Sequence, residues 1–544
     1  MMRVLRNRRT AYLLPIAAAI AAGILLRARG LDRSLWQDEA WVANSVLADS
    51  LAGMFHYDAW LQTSPPLFLL LARAAVSLFG LSNWALRAVP FVSGSLACAL
   101  TAALAWRLFR PRIALLMTAL AAFSPAAVEY SAVLKQYSGE ALAATAMLLA
   151  AAFYAERRTP RRYVLLVLAA LPAMALAYGV ALLLPGLLFC LSPWFLRWWL
   201  REKTPVGAAE AARWLVFGVV VLVTGAAQYW LFVLPNSTPL LSGYWKIPAD
   251  AGALEYAVRA YSGLFVMLGH LPLPRGMLEF TGARVTAVVC GLIFSAGLWR
   301  RPPRSGGVER SRMELLALVS GAAILTITVT NLLNLYPLVI RTTLVMLPCV
   351  LVALGFFVDL MEDAPPRRRA KPRTAGLAVL WAGLLGLVWL GLDIRWNPVP
   401  NEQVEEAVRY LKQHASGADR IYVHATCAEG FKLYRRMLDW PEAPAVYGTL
   451  GWPCCPRRDD LGAVAEPGQL WRDLDRALPS GGEGRLWVLN ADRRHQWELL
   501  GQDQGRLMAE LLASAGCREA ANQPFLNLRV RAYACPAPPV PDVK

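Results

Sequence analysis

The sequence predicts a polytopic α-helical membrane protein with a C-terminal α/β domain exported to the outer face of the bilayer. Three observations carry that prediction. Apolar residues make up 57% of the 544 positions, mean hydropathy is +0.40, and the apolar residues fall in long blocks. Arginines cluster in short stretches between those blocks, where cytoplasmic loops collect positive charge. From about residue 395 the long blocks give way to short alternating helix-like and strand-like segments. The net charge of +17 is explained by the arginine clusters, which removes the main argument for a nucleic-acid partner.

The N-terminal stretch MMRVLRNRR, followed by an apolar run, has the look of a signal peptide. Arg27 and Arg29 close that run without a small-residue cleavage site, so it reads as an uncleaved first span, 12–26. The next apolar run, 65–79, is short, opens with Pro-Pro and holds Arg73. Counting it as a span would put Arg107, Arg110 and Arg112 outside, so 65–79 and the amphipathic stretch 40–54 read as helices lying on the outer face. Ten further spans then alternate with the arginine clusters: 87–108, 113–128, 141–154, 163–177, 179–199, 214–234, 284–299, 315–335, 342–360 and 376–392. With the first they make about eleven, with the N-terminus cytoplasmic and the C-terminus outside. The outer loop 235–281 carries a helical segment at 251–268. Trp194, Trp198 and Trp199 read as an interfacial belt on the cytoplasmic side.

The expected domains are a membrane domain over 1–394, whose first outer loop is 30–85, an α/β domain over 395–535 with a partly parallel sheet, and a Pro-rich tail over 536–544. A long amphipathic helix is expected near 496–513 and a closing strand over NLRVRAYA. Cys98, Cys190, Cys290 and Cys349 lie in spans and read as small apolar filler. Cys427, Cys454, Cys455, Cys517 and Cys535 lie in the exported domain, where disulfides are permitted. Cys517 with Cys535 is the preferred bridge; Cys427 is a candidate partner for Cys454 or Cys455.

Function centres on Leu35-Trp36-Gln37-Asp38-Glu39-Ala40-Trp41. Two carboxylates at a bilayer boundary are costly unless hydrated or paired, which marks Asp38 and Glu39 as a candidate site. The same acids would also suit the N-terminus of a helix starting near Ala40. Cations expected on the outer side run against the inside bias: Lys135, Lys246, Arg259, His270 and Arg341. Their bland readings are a snorkelling lysine, an ordinary helix-end arginine and solvated loop residues. Glu129 and Glu140 flank Lys135-Gln136-Tyr137 in the second outer loop.

The stretches LWQDEAW, TSPPLF, ALRAVP and YSAVLKQYSGE, over roughly residues 10–200, resemble the GT-C fold glycosyltransferases that use lipid-linked sugars. The nearest likeness is to the rhizobial galacturonosyltransferases and the lipid A aminoarabinose transferase, with the protein O-mannosyltransferases more distant. The resemblance implies an acidic pair in the first outer loop, matched by Asp38-Glu39, and a basic-x-Tyr element in the second, matched by Lys135 and Tyr137. Where that family often has His-Pro-Pro, this chain has Ser64-Pro65-Pro66. Arg341, after Tyr336-Pro337, is placed like the family's late Tyr-x-x-x-Arg-Tyr element.

What the resemblance implies is transfer of a sugar from a polyprenyl-phosphate donor to an extracytoplasmic hydroxyl on a glycolipid, polysaccharide or protein, in a bacterial cytoplasmic membrane. In that chemistry Asp38 is the base, Glu39 positions it or helps to hold a cation, and Lys135, Tyr137 and Arg341 bind the donor phosphate. Asp38 and Glu39 are also where Mg²⁺ or Mn²⁺ would bind, although a hard cation wants more oxygen ligands than this loop offers. Two other classes compete: a transporter or flippase of lipid-linked sugars, against which stands the lack of an inverted repeat, and a membrane-anchored envelope assembly protein, for which eleven spans are excessive.

Overall fold

The computed structural model describes residues 10–57, 63–200, 202–236, 308–333, 335–336, 341–363, 378, 381–386, 388–389, 402–448, 467–479, 484–491, 498–499 and 502–536. The expected span 284–299, about half of 376–392, and the loop segment 251–268 lie outside the described residues. Among the described residues five helices are long and apolar enough to cross a membrane, or six if one bent pair counts as a span.

α1 (Leu13–Ala28) packs against α4 (Ala88–Leu108) and α5 (Pro111–Phe123). The expected span 113–128 is broken at Ser124, after which α6 (Pro125–Tyr130) begins. Proline has no backbone N–H, so the break leaves carbonyls at the end of α5 without helical donors. Arg27 from α1 supplies them, donating to Ala121 O at 3.1 Å and Ala122 O at 2.8 Å, and from Nε to Ser131 Oγ at 3.2 Å. Its positive charge also suits the negative end of the α5 dipole. Gly94 of α4 makes room for that cluster: a Cβ there would sit 1.9 Å from Ser131 Oγ.

α7 (Tyr137–Glu156) runs through the centre of the bundle and packs on α4 and on α8 (Pro160–Leu176). The expected span 179–199 is not one straight helix. It starts as a 3₁₀ turn, Tyr178–Leu182, continues as α9 (Leu184–Cys190), and bends by 56° into α10 (Pro193–Leu200). Pro193 at the start of α10 removes the N–H that would have continued the ladder. α11 (Ala208–Gln228) leaves Leu215, Leu222 and Val223 exposed, the apolar surface of a lipid-facing helix. α12 (Val308–Leu332) and α13 (Leu347–Asp363) complete the described bundle.

Between α1 and α4 lie several shorter helices. The expected amphipathic helix 40–54 is instead two: α2 (Gln37–Val46), and a single turn, Leu51–Phe55, capped by Ser50, whose hydroxyl accepts from Gly53 N. Val42 and Ala43 are fully buried, so α2 is covered rather than spread on an interface. The short run after Pro65 forms α3 (Pro66–Phe79), 14 residues long, and its Arg73 donates to Ala48 O at 2.9 Å, tying α3 to the turn after α2.

The C-terminal domain is a five-stranded mixed sheet. Its strands are β1 (Arg420–Val423), β2 (Ala445–Tyr447), β3 (Arg485–Ala491), β4 (Arg518–Phe525) and β5 (Leu528–Ala534), in the order β2-β1-β3-β5-β4. β1 is parallel to β2 and β3; β5 runs antiparallel to β3 and β4. The helices Val404–His414 (α14) and Ala428–Met437 (α15) face the membrane domain. Their Val404, Val408, Leu411 and Phe431 share one buried cluster with Leu35, Val42, Val46 and Phe68. β4 was not expected as a strand. The helix expected from 496 starts only at Gln504, after a two-residue ladder of Glu498–Leu499 with Gln502–Asp503.

Cys517 and Cys535 form a disulfide across the open end of the β4–β5 hairpin. Cys427 is a buried free thiol, contrary to its expected pairing, and its proposed partners Cys454 and Cys455 lie outside the described residues.

Candidate active site

α2 starts at Gln37, so Asp38 and Glu39 occupy its first turn. Successive helical residues diverge by about 100° around the axis, and the two carboxylates turn to different arginines. Glu39 is 1% exposed and pairs at 2.7 Å with Arg87, which is fully buried. Its Oε1 accepts from Arg87 Nε at 2.8 Å and from Leu134 N at 2.6 Å, and its Oε2 from Trp36 N at 3.4 Å, closing the helix cap. Arg87 also donates to the carbonyls of Leu31 and Ser34, at 3.0 and 3.2 Å, and to that of Arg33. Glu39 therefore staples the start of α2 to Arg87 and to the turn before Tyr137.

Asp38 faces the other way. Its Oδ2 accepts from Arg341 Nη1 at 3.0 Å, and the two side chains remain 15% and 22% exposed. Burial opposes the Arg341 charge, but the surrounding Tyr137 and Asp38 hold its pKa above the ordinary value. Tyr137, at the start of α7, lies within electrostatic reach of Asp38, Arg341 and Glu140. Tyr130 stacks edge-on to Tyr137 at 5.3 Å. Glu140 is 3% exposed one turn along, and its Oε2 has no hydrogen-bond partner among the described residues. Gly179 permits that approach: a Cβ there would meet Glu140 Oε2 at 3.1 Å and the Tyr336 hydroxyl at 3.2 Å. Tyr336 in turn donates to Thr342 O at 3.1 Å.

Three segments far apart in the chain thus converge at the start of α2: the loop that carries α2, the turn 131–136 before α7, and the segment before α13. Lys135 is half-buried in that turn, one residue after the amide that docks on Glu39. Glu129 is half-buried near the end of α6. Ser64, where the resembled family often has His, is buried, and its carbonyl accepts from Tyr178 OH at 3.3 Å. Lys246, Arg259 and His270 lie outside the described residues. Arg87 and Tyr336 carried no expected role; the signal for Arg87 was its place in ALRAVP, an arginine opening a span on the side where cations are scarce.

Among the described residues no group of three or more His, Cys, Asp or Glu side chains comes together to hold a metal. Asp38 and Glu39 do not form a joint oxygen cluster, since each is turned to its own arginine. What the arrangement offers is a partly open carboxylate beside a partly open guanidinium, backed by tyrosines and a buried carboxyl.

Residues 63–223 match the family described as dolichyl-phosphate-mannose-protein mannosyltransferase. In structure the chain is similar to ArnT from Cupriavidus metallidurans in the apo state, with a TM-score of 0.52 at 13% identity over 96% of this chain and 97% of that one. It is similarly related to the same protein bound to undecaprenyl phosphate, with a TM-score of 0.51 at 14% identity over 96% and 97%. None of the curated protein sequences matches it. The chain has the GT-C fold, that of a class of membrane glycosyltransferases.

Proposed function

We propose that this protein is a membrane glycosyltransferase that moves a sugar from a polyprenyl-phosphate donor to an acceptor hydroxyl at the outer face of a bacterial cytoplasmic membrane. The observation that carries the reading is the Asp38–Arg341 pair, a carboxylate and a guanidinium 3.0 Å apart and both partly exposed. The match of residues 63–223 to a dolichyl-phosphate-mannose family and the likeness to a structure holding undecaprenyl phosphate support the donor class.

The reaction asks for two things. A carboxylate must take the proton of the attacking hydroxyl, and positive charge must receive the phosphate as it departs. In this reading the donor phosphate takes Arg341 from Asp38, since a guanidinium binds two phosphate oxygens together. That exchange frees the Asp38 carboxylate next to the anomeric carbon. The acceptor oxygen bonds to that carbon as its bond to the phosphate oxygen breaks, the proton passes to Asp38, and polyprenyl phosphate leaves with the electron pair. In the same reading Lys135 adds a point charge and Tyr137 a hydroxyl to the phosphate site, and Glu140, buried beside Gly179 and Tyr336, meets the sugar.

The test is reconstitution into vesicles with a panel of polyprenyl-phosphate monosaccharides radiolabelled in the sugar. One glycoside formed per polyprenyl phosphate released supports transfer. Movement of intact labelled lipid across the bilayer without cleavage identifies a flippase instead.

A further inference from the structure

The turn that delivers Asp38 is held by the exported domain. Residues 34–37 precede the acid, and the buried Leu35 and Gln37 amides find their partners in the C-terminal domain. Leu35 N donates to Tyr434 OH at 2.6 Å, and Gln37 N donates to Glu402 Oε2 at 3.0 Å. Ser34 Oγ accepts from Glu405 N at 3.1 Å. Tyr434 OH donates in turn to Asn83 Oδ1 at 3.0 Å, and Asn83 Nδ2 donates to Glu405 Oε2 at 2.7 Å, so the contacts close into a ring across the two domains. Burial raises the Tyr434 phenol well above its ordinary pKa, which keeps that proton in place.

The ring is anchored on both sides. Gln403, next to Glu402, exchanges hydrogen bonds with Leu526 in the β4–β5 turn, at 3.3 and 2.8 Å, fixing Glu402 to the sheet. Further along α2, Asn44 donates to Glu429 Oε2 at 2.8 Å and to the Glu429 carbonyl at 2.9 Å, and Tyr57 OH donates to the same carboxylate at 2.7 Å. α2 is thus pinned at its first turn by Tyr434 and Glu402, and two turns later by Glu429.

We infer that the exported domain is a positioning device for the active site, in which Tyr434 and Glu402 are positioning residues that set the backbone of 35–37 and through it the place of Asp38 against Arg341. A base displaced by as little as 1 Å loses on the order of a hundredfold in rate without losing its substrate. The inference rests on the proposed transferase reading for its catalytic part, and on geometry alone for the clamp.

The experiment pairs hydrogen exchange with kinetics on the full-length protein in nanodiscs. Tyr434→Phe and Glu402→Ala are expected to speed exchange in the peptide covering 34–41 at least tenfold, while Glu402→Gln, which keeps an acceptor oxygen, stays near wild type. The exposed Arg506→Ala serves as the control. The same two variants are expected to lower kcat about tenfold with donor KM and undecaprenyl phosphate affinity within twofold of wild type, a split that general unfolding would not give. Unchanged exchange in both variants overturns the clamp whatever the activity. Faster exchange with unchanged kcat overturns the positioning role. Faster exchange in a protein whose wild type transfers no sugar overturns the transferase reading itself.

Discussion

Replacing Glu39 with alanine should unfold the site rather than merely slow it. Glu39 is 1% exposed and Arg87 is not exposed at all, so removal of the acid strands a charge in a region closed to water. Breaking a buried pair from one side costs about 3–5 kcal/mol, because the remaining ion keeps its desolvation penalty without its partner. The Leu134 amide, which donates to Glu39 at 2.6 Å, would also be left unmet, a loss of about 1–3 kcal/mol when taken alone. The two losses overlap, since Arg87 still holds the carbonyls of Leu31, Arg33 and Ser34. A total of about 4 kcal/mol, or roughly a thousandfold in the folded-to-unfolded ratio, is the working figure. Denaturation of purified Glu39→Ala, followed by the fraction of monodisperse protein, measures it. Arg87→Met should suffer comparably, and the double variant Glu39→Leu, Arg87→Met should recover part of the loss. A Glu39→Ala protein within about 0.5 kcal/mol of wild type would refute the staple and reopen a chemical role for the residue.

Two further outcomes follow from the same structure. Arg341→Ala should raise the donor KM by about ten- to a hundredfold, the worth of a charge-assisted hydrogen bond to phosphate, and Arg341→Lys should lose less; an unchanged KM for both speaks against phosphate binding. The Cys517–Cys535 bridge closes a loop of 18 residues at the end of the β4–β5 hairpin, so Cys517→Ser should destabilise the C-terminal domain by about 3 kcal/mol, read by limited proteolysis of the intact protein with and without reductant.

Asp38 was legible because an acid at a bilayer boundary has few bland explanations, and Arg341 because an outward arginine breaks the charge bias. Their meeting was not legible: 303 positions separate them, and neither residue type names its partner. Glu39 was read together with Asp38 from adjacency, and its turn toward Arg87 was not legible, because adjacent residues on a helix look in different directions. The breaks at Ser124 and Ser192 were foreshadowed by Pro125 and Pro193, which lay inside apolar runs and were absorbed into them. β4 escaped notice because REAANQPF is an edge strand, mostly exposed, without apolar alternation and with Pro524 near its end. The interdomain ring is made of backbone amides meeting distant side chains, a kind of contact that leaves no periodicity in a sequence.

The measurement that bears most directly on the account is single-turnover sugar transfer by Asp38→Asn in vesicles. Asparagine keeps the size and one acceptor oxygen but cannot hold the proton. Transfer should fall by about a hundredfold or more while undecaprenyl phosphate still binds and the protein stays monodisperse. Transfer at near wild-type rate would contradict the base at the centre of this account.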